Sequence, residues 1–117
     1  MSTLAGIERE PIPPGTLDML ILKTLSLAAG GELHGFGIAD AIQRGSRDVL
    51  QVEEGSLYPA LQRMLIKGWI AGEWSKTPEN RRARYYRLTA AGKRQLEREI
   101  ASYRRVARAI GLILQPA

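Results

Sequence analysis

Near the end of the chain, apolar residues recur at alternating spacings of four and three, and this pattern strongly restricts the possible folds. Such spacing is the a/d seam of a helix that packs along a second helix. A helix from Thr89 to about Leu114 would be roughly 37 Å long, which is more than a body of three short helices is expected to cover. We therefore expect the seam to pack against the same helix of a second chain. The seam residues are Leu96, Ile100, Tyr103, Ala107, Ile110 and Leu114.

One domain is predicted from the length of 117 residues, and the absence of cysteine excludes both a disulfide framework and a thiolate nucleophile. The first 14 residues carry Glu8 and Glu10 where a secretory signal has a basic segment followed by an apolar one. No apolar run approaches the roughly 20 residues that a membrane-spanning helix needs. A cytoplasmic location is therefore expected.

Helical periodicity predicts two short helices in the first part of the chain. The first covers residues 16–29, and the Thr16 hydroxyl is expected to cap its free N–H groups. Two glycines, of which Gly30 is the first, are expected to end it. The second covers residues 34–44, and His34 is expected to cap it or to form a hydrogen bond within the fold.

A third helix is predicted from Val52 to Lys67. Pro59 would be costly in a helix interior but is tolerated in the first turn, so the start is expected near residues 54–56. The buried stripe of this helix is predicted to contain Leu57, Leu61, Met64 and Leu65.

Residues 69–74 and 83–88 have the composition of β-strands, and the polar, basic segment between them reads as a turn. The predicted fold is mainly α with a small β-hairpin (α+β): a winged helix-turn-helix followed by a long dimerisation helix. We expect an N-terminal arm over residues 1–14, the winged helix-turn-helix over 15–88 and the dimerisation helix over 89–117.

Charge is distributed unevenly along the chain. Up to Pro59 there are four basic and eight acidic residues, a net charge of −4, whereas the remainder has thirteen basic and four acidic residues, a net charge of +9. This local basicity suggests a polyanionic partner. It coincides with the third helix and the hairpin, which are the elements that would enter the grooves of DNA.

The third helix fits a major groove, and its exposed face offers groups that can contact bases and phosphates. Its candidate DNA contacts are Ser56, Tyr58, Pro59, Gln62, Arg63 and Lys67. Glutamine and arginine are the residue types that read adenine and guanine. The hairpin tip suits a minor groove or the adjacent backbone. Its candidate contacts are Lys76, Asn80, Arg81, Arg82 and Arg84.

Other classes of function are less favoured. Nothing marks a nucleophile elbow, an oxyanion hole or a phosphate-cradling loop, so we expect no enzyme and no cofactor. A single histidine, His34, without a metal-ligand spacing predicts no metal site. Two alternatives remain: a winged-helix adaptor that binds proteins without binding DNA, and an RNA-binding module, which ranks lower because no surface aromatic pair lies in a suitable strand.

Several segments of the sequence closely resemble the PadR family of bacterial transcriptional regulators. They are residues 15–22, 34–38, 55–61, 68–70 and 80–89. The resemblance implies a winged helix-turn-helix that dimerises through its last helix and binds a palindromic operator, usually as a repressor. Phe36 stands where the family commonly has tyrosine.

Some members of that family release DNA when they bind small aromatic or drug-like molecules. In this chain an effector pocket is expected between the last helix and the DNA-binding body. A shift there would move the third helices of the two chains of a dimer, which are the recognition helices, relative to each other. Its candidate lining residues are Trp74, Tyr86 and Tyr103.

Overall fold

The computed structural model describes residues 8–116, so the first half of the predicted N-terminal arm and Ala117 lie outside the described residues. In this part of the chain no helix is both long and apolar enough to cross a membrane. The elements are α1 (Leu17–Ser26), β1 (Glu32–His34), α2 (Gly35–Gly45), α3 (Glu54–Ile66), β2 (Ile70–Lys76), β3 (Arg82–Leu88) and α4 (Ala90–Leu114).

The strands form one antiparallel sheet in the order β1–β3–β2. β2 and β3 pair along their full lengths, with Ile70 opposite Leu88 at the base of the hairpin. β1 joins the other edge of β3, with Leu33 opposite Tyr86. The predicted hairpin is confirmed, but the two-stranded prediction missed β1. A three-residue strand carries no periodicity of its own, and its partner lies far along the chain.

α1 is shorter than predicted, because it ends at Ser26 and a separate 3₁₀ turn covers Ala29–Gly31. Thr16 does not cap α1 as expected, since its hydroxyl donates to the carbonyl of Pro13 at 2.7 Å. Its backbone is already near-helical (φ −106°, ψ −14°), whereas a capping residue is usually extended.

α2 begins where expected, and the predicted role of His34 as its cap is confirmed. The backbone N–H of Gly37 donates to His34 Nδ1 at 3.1 Å. The imidazole is also stacked on Tyr85, with 5.3 Å between the ring centroids. This histidine therefore fixes the start of α2 against β3.

α3 begins at Glu54, within the expected range. Pro59 consequently lies in the second turn rather than the first. At that position it removes one backbone hydrogen bond, to the carbonyl of Gly55. Gly55 is exposed, so water can satisfy this carbonyl and the proline is tolerated.

The core lies between the first three helices, the sheet and the start of α4. Leu57, Leu61 and Met64 are each at most 2% exposed, which confirms most of the predicted stripe of α3. Leu65 is only partly buried. The remaining core residues are Ile21, Leu22, Leu25, Ile38, Ile42, Ala60, Ile70, Tyr86 and Leu96.

α4 starts at a well-built cap. Thr89 Oγ1 accepts from the Gly92 N–H at 3.0 Å and donates to the carbonyl of Gly68 at 2.6 Å. A Cβ on Gly92 would lie 1.9 Å from the carbonyl oxygen of Trp69, so only glycine permits this close docking. The expected helix start at Thr89 is confirmed.

The first turns of α4 pack against α1 of the same chain. Leu96 is 5% exposed within the core, and Ile100 is partly buried against it. Of the predicted dimer-interface residues, Leu96 therefore lies in the core of its own chain, and Ile100 is partly covered by that core. Residues 101–116 are all exposed.

Candidate nucleic-acid interface

The face of α3 opposite the core is open to solvent. Tyr58 lies one position after the buried Leu57, and Gln62 one position after the buried Leu61, which places both on the outer side of the helix. The predicted contacts of this helix are all exposed: Ser56, Tyr58, Pro59, Gln62, Arg63 and Lys67.

Two of these side chains also have partners within the chain. The Arg63 guanidinium donates to Asp18 Oδ1 at 2.5 Å and so joins α3 to the first turn of α1. The Lys67 ammonium lies 4.7 Å from the centroid of the Trp69 ring. Both side chains remain exposed, but their intramolecular contacts orient them.

Tyr58 lies where α3 meets the start of α2. A Cβ on Gly35 would lie 2.8 Å from the Tyr58 hydroxyl oxygen and 2.9 Å from the ring, so the phenol fills the space that this glycine leaves. Tyr58 is nevertheless 47% exposed. Its hydroxyl lies next to the N-terminus of α2, where backbone N–H groups favour an anion.

The tip of the hairpin is a tight turn held by backbone groups. The Thr77 N–H donates to the carbonyl of Arg81 at 2.8 Å, and the Asn80 N–H donates to that of Thr77 at 2.8 Å. Asn80 adopts a left-handed conformation (φ 64°), which asparagine tolerates better than most residues. The turn therefore presents Arg81 on a defined backbone.

One face of the hairpin carries its aromatic and basic side chains together. The Arg82 guanidinium carbon lies 4.7 Å from the centroid of the Trp74 ring, in a cation–π contact. Arg84 crosses the other strand, where a Cβ on Gly72 would meet its Nε at 2.6 Å. Within residues 8–116 this buried Nε has no hydrogen-bond acceptor.

These elements enclose a groove of about 600 Å³ between the hairpin and the body, which we call the wing groove. Its body side contains Phe36 and Tyr58, and its hairpin side contains Trp74. The groove is also lined by Tyr86, one acidic residue and three arginines: Glu79, Arg81, Arg82 and Arg84. Residues from α2, α3 and the hairpin therefore face one common space.

Burial raises the pKa of the Tyr86 hydroxyl in this groove. The Arg84 guanidinium opposes the increase, and the neighbouring Tyr58 adds to it. Because the net shift is upward from a value near 10, Tyr86 is a neutral phenol at physiological pH and presents no negative charge to an anion.

The hairpin has a net positive charge, with five basic residues against Glu73 and Glu79. Two ion pairs occur in the described part of the chain: Asp40 with Arg44 at 2.8 Å, and Asp18 with Arg63. The basic side chains of the hairpin belong to neither pair: Lys76, Arg81, Arg82, Arg84 and Arg87. Across residues 8–116 no cluster of acidic and histidine side chains suits a metal ion.

A model of the transcriptional regulator PadR-like family matches residues 24–98, which is more than half of the chain. The chain belongs to the PadR-like family of transcriptional regulators. The matched segment contains all of α3 and the whole hairpin, which we now call the wing. The predicted membership and the prediction that the chain is not an enzyme are both confirmed, since this is a family of regulators.

Similar proteins of known sequence or structure support this family assignment. The chain is 32% identical over 89 residues to the transcriptional regulator Rv3488 of Mycobacterium tuberculosis, covering 76% of this chain and 79% of that one. A PadR-like regulator from Bacillus cereus is 28% identical with a TM-score of 0.72, over 88% of this chain and 95% of that one. The predicted winged-helix fold is confirmed.

One solved structure of similar fold contains nucleic acid. It is PadR of Bacillus subtilis in complex with operator DNA, which matches with a TM-score of 0.64 at 24% identity. The match covers 75% of this chain and 48% of that one.

The three residues predicted to line an effector pocket lie apart in this PadR-like chain. Trp74 and Tyr86 line the wing groove. Tyr103 instead lines a separate cavity between the start of α1 and the middle of α4, with Met19 and Glu99 among its neighbours. The three aromatic residues do not share one pocket, because the wing and the middle of α4 lie at different places on the body.

The contribution of α2 to this surface was not predicted from the sequence. Phe36 is 73% exposed and lines the wing groove. A signal was present, because Phe36 lies off the helical stripe that joins Ile38 to Ile42 and so could not be buried with them. His34 also lines the groove.

Proposed function

We propose that this PadR-like regulator acts as a homodimer that binds a palindromic DNA operator. The observation that carries the proposal is the wing groove, where Tyr58 of α3 faces the same space as wing arginines that form no ion pair within residues 8–116. A duplex with α3 in its major groove would bring its sugar-phosphate backbone to this groove. The operator bound by the PadR of Bacillus subtilis supports a DNA partner.

Within this proposal the two elements have different tasks. Gln62 is exposed on α3, and its amide can make a bidentate contact with adenine, so it specifies sequence. Arg81 and Arg82 on the wing contact phosphates or the minor groove, so they contribute affinity with little sequence preference. Arg63, held by Asp18, lies at the edge of the α3 surface and orients the helix.

The dimer contact in this proposal is the exposed half of α4. Beyond the turns that pack on α1, this helix still exposes large apolar side chains at seam positions, with Tyr103 49%, Ile110 52% and Leu114 76% exposed. A row of exposed apolar residues on a long helix marks an interaction surface. A second α4 matches its spacing, since the seam is self-complementary.

In this proposal, binding to the operator is itself what regulates transcription. A dimer seated on an operator next to a promoter excludes RNA polymerase, so we propose repression, in the cytoplasm where the chromosome lies. Release by a small molecule belongs to the same proposal.

The experiment is selection of duplexes from a random pool with the full chain, followed by sequencing and by fluorescence anisotropy of the enriched duplex at several salt concentrations. We expect an inverted repeat and an affinity that falls steeply with salt. A pool without any enriched sequence, together with a stable homodimer in ultracentrifugation, would overturn the proposal and favour the protein-binding adaptor.

A further inference from the structure

The wing groove contains more aromatic surface than phosphate binding requires. Phe36 is 73% exposed, Trp74 58% and Tyr58 47%. Exposed aromatic rings cost free energy in water, because each presents a large apolar area. Tyr58 already has a place in the proposed DNA contact, but the stacked bases of a duplex offer no ring faces to Phe36 and Trp74, so binding of duplex backbone does not account for these two rings.

The positive charges beside these rings are available to a ligand. Arg81, Arg82 and Arg84 line the groove and take part in none of the ion pairs found in residues 8–116. Arg82 is already stacked on the face of Trp74. The Nε–H of Arg84 is buried without an acceptor, a state that usually indicates a missing water or ligand atom. An anion would meet several charge-assisted donors here, against a single carboxylate in the lining, that of Glu79.

The groove also has a suitable size and a second positive end. Its volume of about 600 Å³ falls within the usual range of small-molecule sites, roughly 300–1,000 Å³. The N-terminus of α2, at Gly35 and Phe36, opens onto it. Helix N-termini favour phosphate groups. Aromatic rings that can stack on a base and N–H groups that can donate to a phosphate therefore line the same groove.

We propose that the wing groove binds a free nucleotide, with the base against Trp74 and Phe36 and the phosphates on the wing arginines. Aromatic stacking with arginine contacts is the usual means of holding an unpaired base. The consequence for regulation rests on the proposed function. Because the nucleotide and the operator backbone would occupy the same arginines, a bound nucleotide displaces DNA and acts as the releasing effector.

Isothermal titration calorimetry of the full chain tests this site directly, with ATP as the probe and adenosine and tripolyphosphate as its two halves. We expect saturable binding of one ATP per chain. We expect each half to bind at least about tenfold more weakly, since stacking alone contributes roughly 1–3 kcal/mol per base. Tripolyphosphate binding as tightly as ATP would reduce the groove to a general anion patch and overturn the proposal.

Variants locate the site. Trp74→Leu, Phe36→Leu and Arg82→Gln should each weaken ATP binding about tenfold, whereas Phe36→Tyr, which keeps an aromatic ring, should not. Arg104→Gln, which removes the same charge from an exposed position on α4, is the matched control and should bind ATP normally. Circular dichroism of every variant checks the fold. Unchanged ATP binding in the folded Trp74 and Phe36 variants would contradict the assignment.

Competition separates this inference from the function on which it rests. ATP should displace the selected duplex from the native chain, and the Phe36→Leu variant should need about tenfold more ATP for the same displacement. A chain that binds the duplex but no ATP disproves the nucleotide site and leaves the operator proposal intact. A chain that binds ATP but no duplex disproves the operator proposal and leaves the nucleotide site intact.

Discussion

Among single residues, Gln62 is the clearest candidate for sequence readout, because its side chain is exposed one position after the buried Leu61. We expect Gln62→Ala to change the preferred base at one position of each half-site and to reduce discrimination there by about 1–3 kcal/mol. Repeating the duplex selection with the variant measures this. Gln115→Ala, at an exposed position beyond α4, is the control. An unchanged selected sequence would remove Gln62 from readout.

Arg63 illustrates how far a residue type can be interpreted from sequence. Its exposure was predictable from the helical stripe, but its contact with Asp18 was not, because the two residues are 45 positions apart in the chain. The contact exists only once α1 and α3 are packed. A prediction of guanine reading for Arg63 therefore competes with a structural role that sequence spacing does not reveal.

The Asp18–Arg63 pair gives a second prediction. The Arg63 side chain is 49% exposed, and half-exposed pairs are screened by water. A double-mutant cycle with Asp18→Ala and Arg63→Ala should therefore give a coupling energy of about 0.2–1 kcal/mol in the free energy of unfolding. Urea denaturation measures it, and the Asp40–Arg44 pair of α2 serves as the surface reference. A coupling of several kcal/mol would mean that the pair is desolvated in solution.

Among the elements, the wing is expected to supply affinity without sequence preference. Arg81→Ala combined with Arg82→Ala should weaken binding to every duplex and lower the slope of log K against log salt by about 2, since two phosphate contacts are lost. Fluorescence anisotropy across a salt series measures this slope.

The matched control is Arg104→Ala combined with Arg105→Ala, which removes the same charge from α4. This control should leave the slope nearly unchanged. Equal effects of the two double variants would show that net charge, rather than the wing, attracts DNA.

The docking of α4 depends on one glycine. Gly92→Ala would place a methyl group 1.9 Å from the Trp69 carbonyl oxygen, and a backbone atom has little freedom to move. We expect a loss of about 1–3 kcal/mol in the free energy of unfolding, as for other overpacked sites. Gly111→Ala in the same helix meets no atom within 4 Å and should be neutral or stabilising by up to about 1 kcal/mol.

Urea denaturation compares the two glycine variants directly. Equal stabilities would contradict the close approach of α4 to the Gly68–Trp69 segment.

Some elements could be predicted from sequence patterns alone, and others could not. The stripe of α3, the hairpin and the Thr89 cap were predictable, because each depends on residues close together in sequence. β1 was not, since three residues next to glycines become a strand only when β3 pairs with them. The wing groove was not either, because α2, α3 and the wing meet there only in the folded chain.

For the whole molecule, the proposed working unit is a dimer. Ile110→Asp would place a charge in the exposed seam of α4, where Ile110 is 52% exposed in the single chain, and should convert the dimer to monomers. Ala109→Asp adds the same charge beside the seam and should leave the dimer intact. Analytical ultracentrifugation of both variants decides between these outcomes, and a dimeric Ile110→Asp variant would move the interface elsewhere.

The uneven charge of the sequence can be assigned to particular elements of the folded molecule. The basic residues after Pro59 separate into those on α3 and the wing, which face the proposed DNA, and those at exposed positions along α4. In the proposed complex, the first group sets the salt dependence of binding, and the members of the second group beyond Ile100 flank the proposed dimer seam.

A hydroxyl-radical footprint of the full chain on its selected duplex tests the central proposal most directly. Two recognition helices related by a dimer axis should protect two patches on the DNA whose centres are about one helical turn apart, roughly 34–36 Å. Protection should also extend over the backbone next to each patch, where the wing lies. A single protected patch, or protection that does not follow the selected sequence, would contradict a dimeric regulator that reads an operator through α3.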